Sequence, residues 1–418
     1  MPLNDIIDTY SPNLKKYLAS RPDIDKMVRT NDGRYYCYPG IYGDDYLLVY
    51  SGPIVRQDFL DRLGMQRPET IAQWHSVLKA FKDELNIPAP LVLGSDYKEL
   101  ILQAFGAIDG LYVEGGKIKF GVLEDGYRQG IKTLADWYSE GLLDENYATL
   151  GGSIMAQSII SGRSGIGYGN TGAGIGDWSA SLKKEQGERL SPLKYPVLNQ
   201  GDRPMSGQRA NPYSPYGSAS ITTQCENIPL AAQVLDYGYG EEGGLLFNFG
   251  IEGESYEMVD GYPTYTSKVT NDPSGRSMNH MLFYYTTPSG IGPFIRDKRY
   301  MEQFAALPEQ KESILLWGQT AAAEHKLPPL ALSDAESTQA ASISEKLEPY
   351  IDMMTKKMVM GIEQVEKYGE FLEACRALGA QEYIDVYQKA YDRYCSCLLY
   401  TSSLSKAKNM KRMAFYVR

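Results

Sequence analysis

The stretch Tyr35–Met65, "YYCYPGIYGDDYLLVYSGPIVRQDFLDRLGM", sets how this chain is read. A strand-like aromatic run reaches Gly43, meets the adjacent carboxylates Asp44 and Asp45, and turns apolar again. Strands ordinarily open on neutral turn residues, so these two acids need a partner: solvent, backbone or ligand. The aromatic and β-branched segments "RYYCYP" and "YLLVY" predict strands on either side. In "GPIVRQDFLDRLGM" the positions Ile54, Phe59, Leu60 and Leu63 have helical spacing, and Gly64 closes the helix.

On its C-terminal side, "RPETIAQWHSVLKAFKDEL" offers Thr70 as an N-cap and keeps Ile71, Trp74, Leu78 and Phe81 on one face, which places Trp74 in the core. Upstream, Asn4 to Arg29 reads as one or two short helices, with the hairpin-type turn "NDG" after them. Downstream, "APLVLGS" predicts a short buried strand, "VEGGKIKFGV" a small hairpin, and "GYRQGIKTLADWYSEGLL" a helix with Ile131, Leu134, Tyr138 and Leu142 inward. "ASITTQCENIPLAAQVLDYGYG" reads as strand, turn and Pro-opened helix, and Glu345 to Tyr394 as almost wholly helical. Strands alternating with helices indicate an α/β architecture.

At 418 residues, with 43% hydrophobic and 22% charged positions, the chain has the composition of a globular protein of two or three domains. A net charge of -10 argues against non-specific binding through released phosphate counterions, so no nucleic-acid partner is expected. No apolar run approaches the roughly 20 residues of a membrane helix, and "MPLNDIIDTYSPNLKKYL" has no charged-then-apolar leader. The five cysteines are too scattered for a disulfide framework, and His75, His280 and His325 are isolated, so no metal site is expected. Tyrosine is the outlier, with 33 residues: its flat apolar face and polar tip suit sugar rings.

Two motifs invite chemistry. "GYGNTG" (167–172) meets the G-x-G-x-x-G pattern between a strand and a helix, but the downstream segment "WSASLKKEQGERLSPL" does not return to a strand ending in a ribose-binding acid. A polar ligand held by the backbone N–H groups of that loop remains open. Asp44 and Asp45 point to opposite faces of a strand, so they cannot together flank one glycosidic bond; Glu252 or Asp260 could complete a pair.

The segment "YCYPGIYGDDYLLVYSGPIVRQDFLDRLGMQRPETIAQWHSVLKAFKDE" resembles the family 1 extracellular solute-binding proteins of ABC importers, in which a Tyr-x-x-Pro strand crosses between lobes ahead of a helix pair. "LADWYSEGLLDENYAT" is similar to a second-lobe helix and loop of that family. "GSASITTQCENIPLAAQVLDYGYGEEGGLLFNFGIEGESYEMVDGYPTYT" is similar to its return strand, Pro-x-x-Ala helix and Asn-x-Gly-Ile-Glu-Gly segment in the Gram-positive branch, and "EKLEPYIDMMTKKMVMG" and "QEYIDVYQKAYDRY" to its closing helices.

The resemblance implies an α/β, two-lobed, type II periplasmic-binding-protein fold, similar to maltodextrin-binding protein. One lobe would comprise residues 1–42 and 219–292, the other 46–215 and 295–394. Crossings would fall near Ile41 to Tyr46, Ser214 to Ser220 and Gly290 to Ile295. Because Met1 corresponds to a point well inside the family pattern, the first lobe is expected to be incomplete, with the lipoprotein signal and lipid-modified Cys absent. Residues 395–418, basic from Thr401 onward, form an atypical tail expected to be disordered or foreign.

The implied function is to capture an oligosaccharide outside the cell, at the membrane face, and pass it to ABC permease subunits. The protein would act as a monomer, with no catalytic residue and no cofactor. Carried over by position, at least one of Asp44 and Asp45 faces the cleft, Tyr97 contacts sugar with Asp96 beside it, and Asn170 and Thr171 lie on a cleft-facing loop. Tyr213 and Tyr216 flank the second crossing, and Trp178 faces either the ligand or its own helix. The rival readings are a glycoside-active enzyme using an Asp/Glu pair, and a sensor ectodomain.

Overall fold

The computed structural model describes residues 1–287 and 292–396. Gly290, in the third expected crossing, and nearly all of the 395–418 tail lie outside these residues.

Among the described residues, eleven strands build two sheets and two hairpins. In chain order they are β1 Tyr38–Tyr42, β2 Ser51–Arg56, β3 Leu91–Val92, β4 Leu111–Glu114, β5 Lys117–Phe120, β6 Ile166–Asn170, β7 Leu190–Pro192, β8 Tyr213–Ala219, β9 Tyr256–Val259, β10 Tyr262–Tyr265 and β11 Ile295–Arg296. A four-stranded sheet runs β3-β6-β2-β7 and a three-stranded one β11-β1-β8, with β4-β5 and β9-β10 as hairpins. The first expected crossing overlaps β1 at Ile41–Tyr42, the second covers most of β8 and the third ends in β11, so the three passes hydrogen-bond into one sheet. β1 is central, parallel to β11 (Ile41 opposite Ile295) and antiparallel to β8 (Ile41 opposite Tyr213). Glycine is required there, because a Cβ on Gly40 would stand 2.8 Å from the Gly217 Cα.

The core falls into two bodies, and the three-stranded sheet packs into the smaller of them through Tyr38, Ile41, Tyr213 and Ile295. The larger wraps the four-stranded sheet and gathers Ile54, Trp74, Phe81, Leu91, Ile131, Leu134 and Trp317, all 0% exposed, with Trp178 and Phe371. The other body has two clusters: Leu3, Leu14, Ile24, Tyr38 and Ile221, and then Leu47, Phe249, Tyr265, Leu282, Tyr300 and Met301. The helix Pro308–Trp317 joins them, since Ile314 packs into the second of these clusters and Trp317 into the larger core. Tyr300 and Met301 pack with Phe249, so the expected division, which gave everything from 295 onward to the second lobe, runs too early.

Local signals hold where short-range chemistry decides. Thr70 and Gln73 form a capping box, Gly64 ends its helix in the left-handed region at φ 65, and Pro12 and Pro22 open two of three N-terminal helices. Elsewhere packing overrides spacing. Ile54 lies in strand β2, buried along its whole length between β6 and β7, and the helix starts only at Gln57. "YLLVY" forms no strand; Asp45–Leu47 is a single tight helical turn. In the helix Asp125–Ser139 the inward aromatic is Trp137, while Tyr138 stays half-buried and donates to the Glu145 carbonyl at 3.2 Å.

Candidate functional site

The two acids of the opening stretch part company. Asp44 caps the turn after β1, accepting from the Tyr46 N–H at 2.9 Å, and lies 3.4 Å from the Lys298 ammonium. It lines a cavity of about 390 Å³ together with Gly43, Asn248, Arg296 and Lys298. The Asp45 side chain is 79% exposed and stands 3.3 Å from the Arg209 guanidinium. Beyond Asp44, the Arg296 guanidinium lies over the Tyr42 ring at 4.6 Å.

On the side of the larger core, a wall of tyrosines is held by hydrogen bonds. The Tyr97 ring packs 4.8 Å from that of Tyr168, whose hydroxyl meets the Tyr195 hydroxyl at 3.0 Å. Tyr195 donates to the Ser51 carbonyl at 2.9 Å and accepts from the Gln208 N–H at 2.9 Å. The Gln208 side-chain oxygen in turn accepts from the N–H groups of Tyr50 and Ser51, pinning the strap 203–210 across the start of β2. Burial pushes the Tyr168 and Tyr195 hydroxyls above the usual phenol range, so both stay neutral donors at physiological pH. The wall presents phenol faces of fixed orientation, which suits stacking on a sugar ring rather than proton transfer.

The strap also sets a charged corner beside the tyrosines. The Ser206 hydroxyl donates to the Glu99 carboxyl, and burial pushes that carboxyl up from its ordinary range. Lys326 lies within the field of Glu99 and Arg209, and burial lowers its pKa. Lys98, next to Tyr97, is committed elsewhere: it pairs with Asp109 at 2.6 Å.

The other expected residues divide. Tyr97 is half-buried, and Asp96 and Asn170 are exposed. Tyr216 is 85% exposed in β8, whereas Tyr213 is half-buried with its hydroxyl 3.7 Å from the Cys37 sulfur and its pKa pushed up to about 12, mainly by burial. Two residues are corrected. Thr171 is 1% exposed, its hydroxyl paired with Ser313 at 2.9 Å and its carbonyl accepting from Gln310 at 2.9 Å. Trp178 is 7% exposed within the larger core. The reason is shared: the Gly-rich turn after β6 is clamped onto the joining helix Pro308–Trp317, and a Cβ on Gly172 would stand 2.4 Å from the Phe304 ring.

The sequence reading missed Glu99, Tyr168, Tyr195, Ser206, Gln208, Arg209 and Lys326. Only Tyr168 had a signal, lying inside "GYGNTG"; the others come from separate segments with no shared pattern. Glu252 and Asp260, held in reserve for an acid pair, sit on exposed stretches, Asp260 in the β9-β10 turn at φ 51. Among the described residues no group of three or more His, Cys, Asp or Glu could hold a metal ion, and no helix is long and apolar enough to cross a membrane.

No protein-family model matches the chain. It is 21% identical to the fructooligosaccharide ABC transporter substrate-binding protein FusA of Streptococcus pneumoniae serotype 4, over 94% of this chain and 76% of FusA. It is 23% identical to the lipoprotein LipO of Bacillus subtilis strain 168, over 91% of this chain and 76% of LipO. Among solved structures, the alginate-binding protein AlgQ2 superimposes with a TM-score of 0.78 at 23% identity, covering 94% of this chain and 81% of AlgQ2.

Proposed function

We propose that this chain, a family 1 extracellular solute-binding protein of the ABC-importer type, takes an oligosaccharide between its two lobes and hands it to a permease. The observation that carries the reading is the division of the core into two separately packed bodies bridged by the helix Pro308–Trp317, with Tyr97 and Tyr168 forming an aromatic wall on the larger. Strands that pass between lobes can bend as a unit, so ligand contacts on both sides would favour a closed form. Stacking on the tyrosines supplies apolar contact, while Asp45, Asp96 and Asn170 offer polar groups for hydroxyls. FusA is named for fructooligosaccharides and AlgQ2 for alginate, which supports a carbohydrate ligand of more than one unit. The name of LipO, a lipoprotein, supports a lipid anchor, and that of FusA, an ABC transporter substrate-binding protein, supports work with permease subunits.

A thermal-shift screen of neutral and acidic oligosaccharides on the purified chain tests this. A ligand that binds only the folded state must raise the melting temperature, by about 2.7 kcal/mol of stabilisation at a hundredfold excess over Kd. If no saccharide raises it, the capture reading fails. Release of shorter sugars, abolished by a single acid-to-alanine change, would reinstate the glycosidase.

A further inference from the structure

The chain passes between its two bodies within very few residues. Leu47 packs with Phe249 in the smaller body and Val49 in the larger core, so the first pass is made at Leu48. On the way back, the Gln208 N–H is held by Tyr195 of the larger core. Tyr213 already packs in the smaller body, and the Pro212 carbonyl accepts from the Tyr42 N–H at 2.8 Å. The return pass therefore falls within residues 209–211. The two passes are laced together: the Ala210 N–H donates to the Leu48 carbonyl at 2.7 Å, and the Gln208 amide donates to the same carbonyl at 3.3 Å. A change in the angle between the bodies falls on these residues and on the joining helix, because the backbone to either side is hydrogen-bonded within one body.

One side chain reaches both passes and the tyrosine wall. Tyr195 is 3% exposed, and its hydroxyl meets the Ser51 carbonyl at 2.9 Å, the Gln208 N–H at 2.9 Å and the Tyr168 hydroxyl at 3.0 Å. Valence places the protons. A carbonyl only accepts and a backbone N–H only donates, so the Tyr195 proton goes to Ser51 and the Tyr168 proton goes to Tyr195. Each hydroxyl then has one orientation, and the Tyr168 ring, 4.8 Å from that of Tyr97, is fixed relative to residues 51 and 208. A buried network of this kind is stiff, and removing one member leaves the others unpaired.

We infer that Tyr195 is a positioning residue for ligand capture: its hydroxyl couples the stacking face of Tyr97 and Tyr168 to the two passes, so that wall and joint keep one geometry. The inference rests on the capture reading and adds to it a residue that touches no ligand. Gln208 shares the role. Its side-chain oxygen accepts from the Tyr50 and Ser51 N–H groups at 2.7 and 3.1 Å, which holds the strap where its own N–H meets Tyr195. A sugar that stacks on Tyr97 meets a wall already aligned with the joint and does not have to order it.

The test is calorimetric titration with tetragalacturonate and kestose, an acidic and a neutral probe, the tighter of which is carried through the variants. Tyr195→Phe should weaken it about tenfold or more. Tyr97→Ala, expected to cost about tenfold alone, should add less than about threefold in the Tyr195→Phe background, because residues acting through one another are not additive. Tyr147→Phe deletes another buried hydroxyl of the larger core, one without a partner among the described residues, and should leave affinity within about twofold. Gln208→Leu should reproduce much of the Tyr195→Phe loss. Gln208→Glu, which keeps an acceptor for the Tyr50 and Ser51 N–H groups, should recover most of it, and this pair decides the matter if Tyr195→Phe does not fold. Unchanged affinity in folded Tyr195→Phe, or full additivity with Tyr97→Ala, overturns the coupling and leaves carbohydrate capture standing. If the parent chain binds neither probe nor any saccharide of the thermal screen, capture falls and the coupling falls with it.

Discussion

The Gly-rich turn after β6 and the strap 203–210 make an instructive pair. Both contain glycine and neither takes part in regular strand pairing. The turn closes on the joining helix: Thr171 is engaged by Ser313 and Gln310, and Trp178 fills the larger core. The strap is pinned by its backbone and by Gln208. A polar loop becomes a joint when its side chains satisfy one another across the interface. The strap's side chains are satisfied as well, Ser206 by Glu99 and Gln208 by the N–H groups of Tyr50 and Ser51, but from the larger body alone, so it holds the tyrosine wall in place instead of tying two bodies together.

The largest effect is expected from breaking the joint. Trp178→Ala should lower stability by about 3–5 kcal/mol, read by denaturant unfolding, because a large core side chain is lost and the site cannot fully collapse. A loss below about 1 kcal/mol would return Trp178 to the ligand side. The wall should respond in binding instead. Tyr97→Ala is expected to weaken the best saccharide from the screen about tenfold, roughly 1.4 kcal/mol, with a smaller change in the unliganded melt. Equal changes in both measurements would make Tyr97 a packing residue like Trp178.

Asp44 and Asp45 test the contrast at closer range. Asp44→Ala removes a cap and should cost about 0.5–2 kcal/mol of stability without ligand, whereas Asp45→Ala, at an exposed site, should stay within about 0.5 kcal/mol. Matching melts for the two variants would show that the capping bond carries no weight. The smallest effect concerns Glu99. Its folded pKa is raised, so the fold favours the protonated form; that contribution is complete below the ordinary glutamate value of 4.5 and is lost as pH rises through the raised value. Glu99→Gln imitates the protonated carboxyl. Its melting temperature should match the parent at about pH 4 and exceed it increasingly towards about pH 8. A gap that widens as the pH falls would reverse the assignment.

Much of the scaffold was legible in the residues, because caps, prolines and glycines act within a turn of themselves. Thr70, Gly64, Pro12 and the hairpin "VEGGKIKFGV" each specify their own geometry. The helix Asp125–Ser139 was legible in its existence and misread by one position in its inward face. Trp137 and Tyr138 differ by a single step of rotation, and only the neighbouring core chose between them. The first stretch misled where length mattered: "YLLVY" has strand composition, yet the Asp44 cap forces a turn.

Composition and local pattern were enough to dictate the alternation of strands and helices and a wealth of tyrosine, while the three segments expected to pass between lobes came from the family resemblance. Which side chains are buried and which partners they take was decided in three dimensions alone. Thr171 is claimed by a residue 142 positions away, and Ser206 meets Glu99 across 107. Burial and partner choice are properties of such pairings. No local pattern records them, because the residue that satisfies a group, or fails to, arrives from elsewhere in the chain.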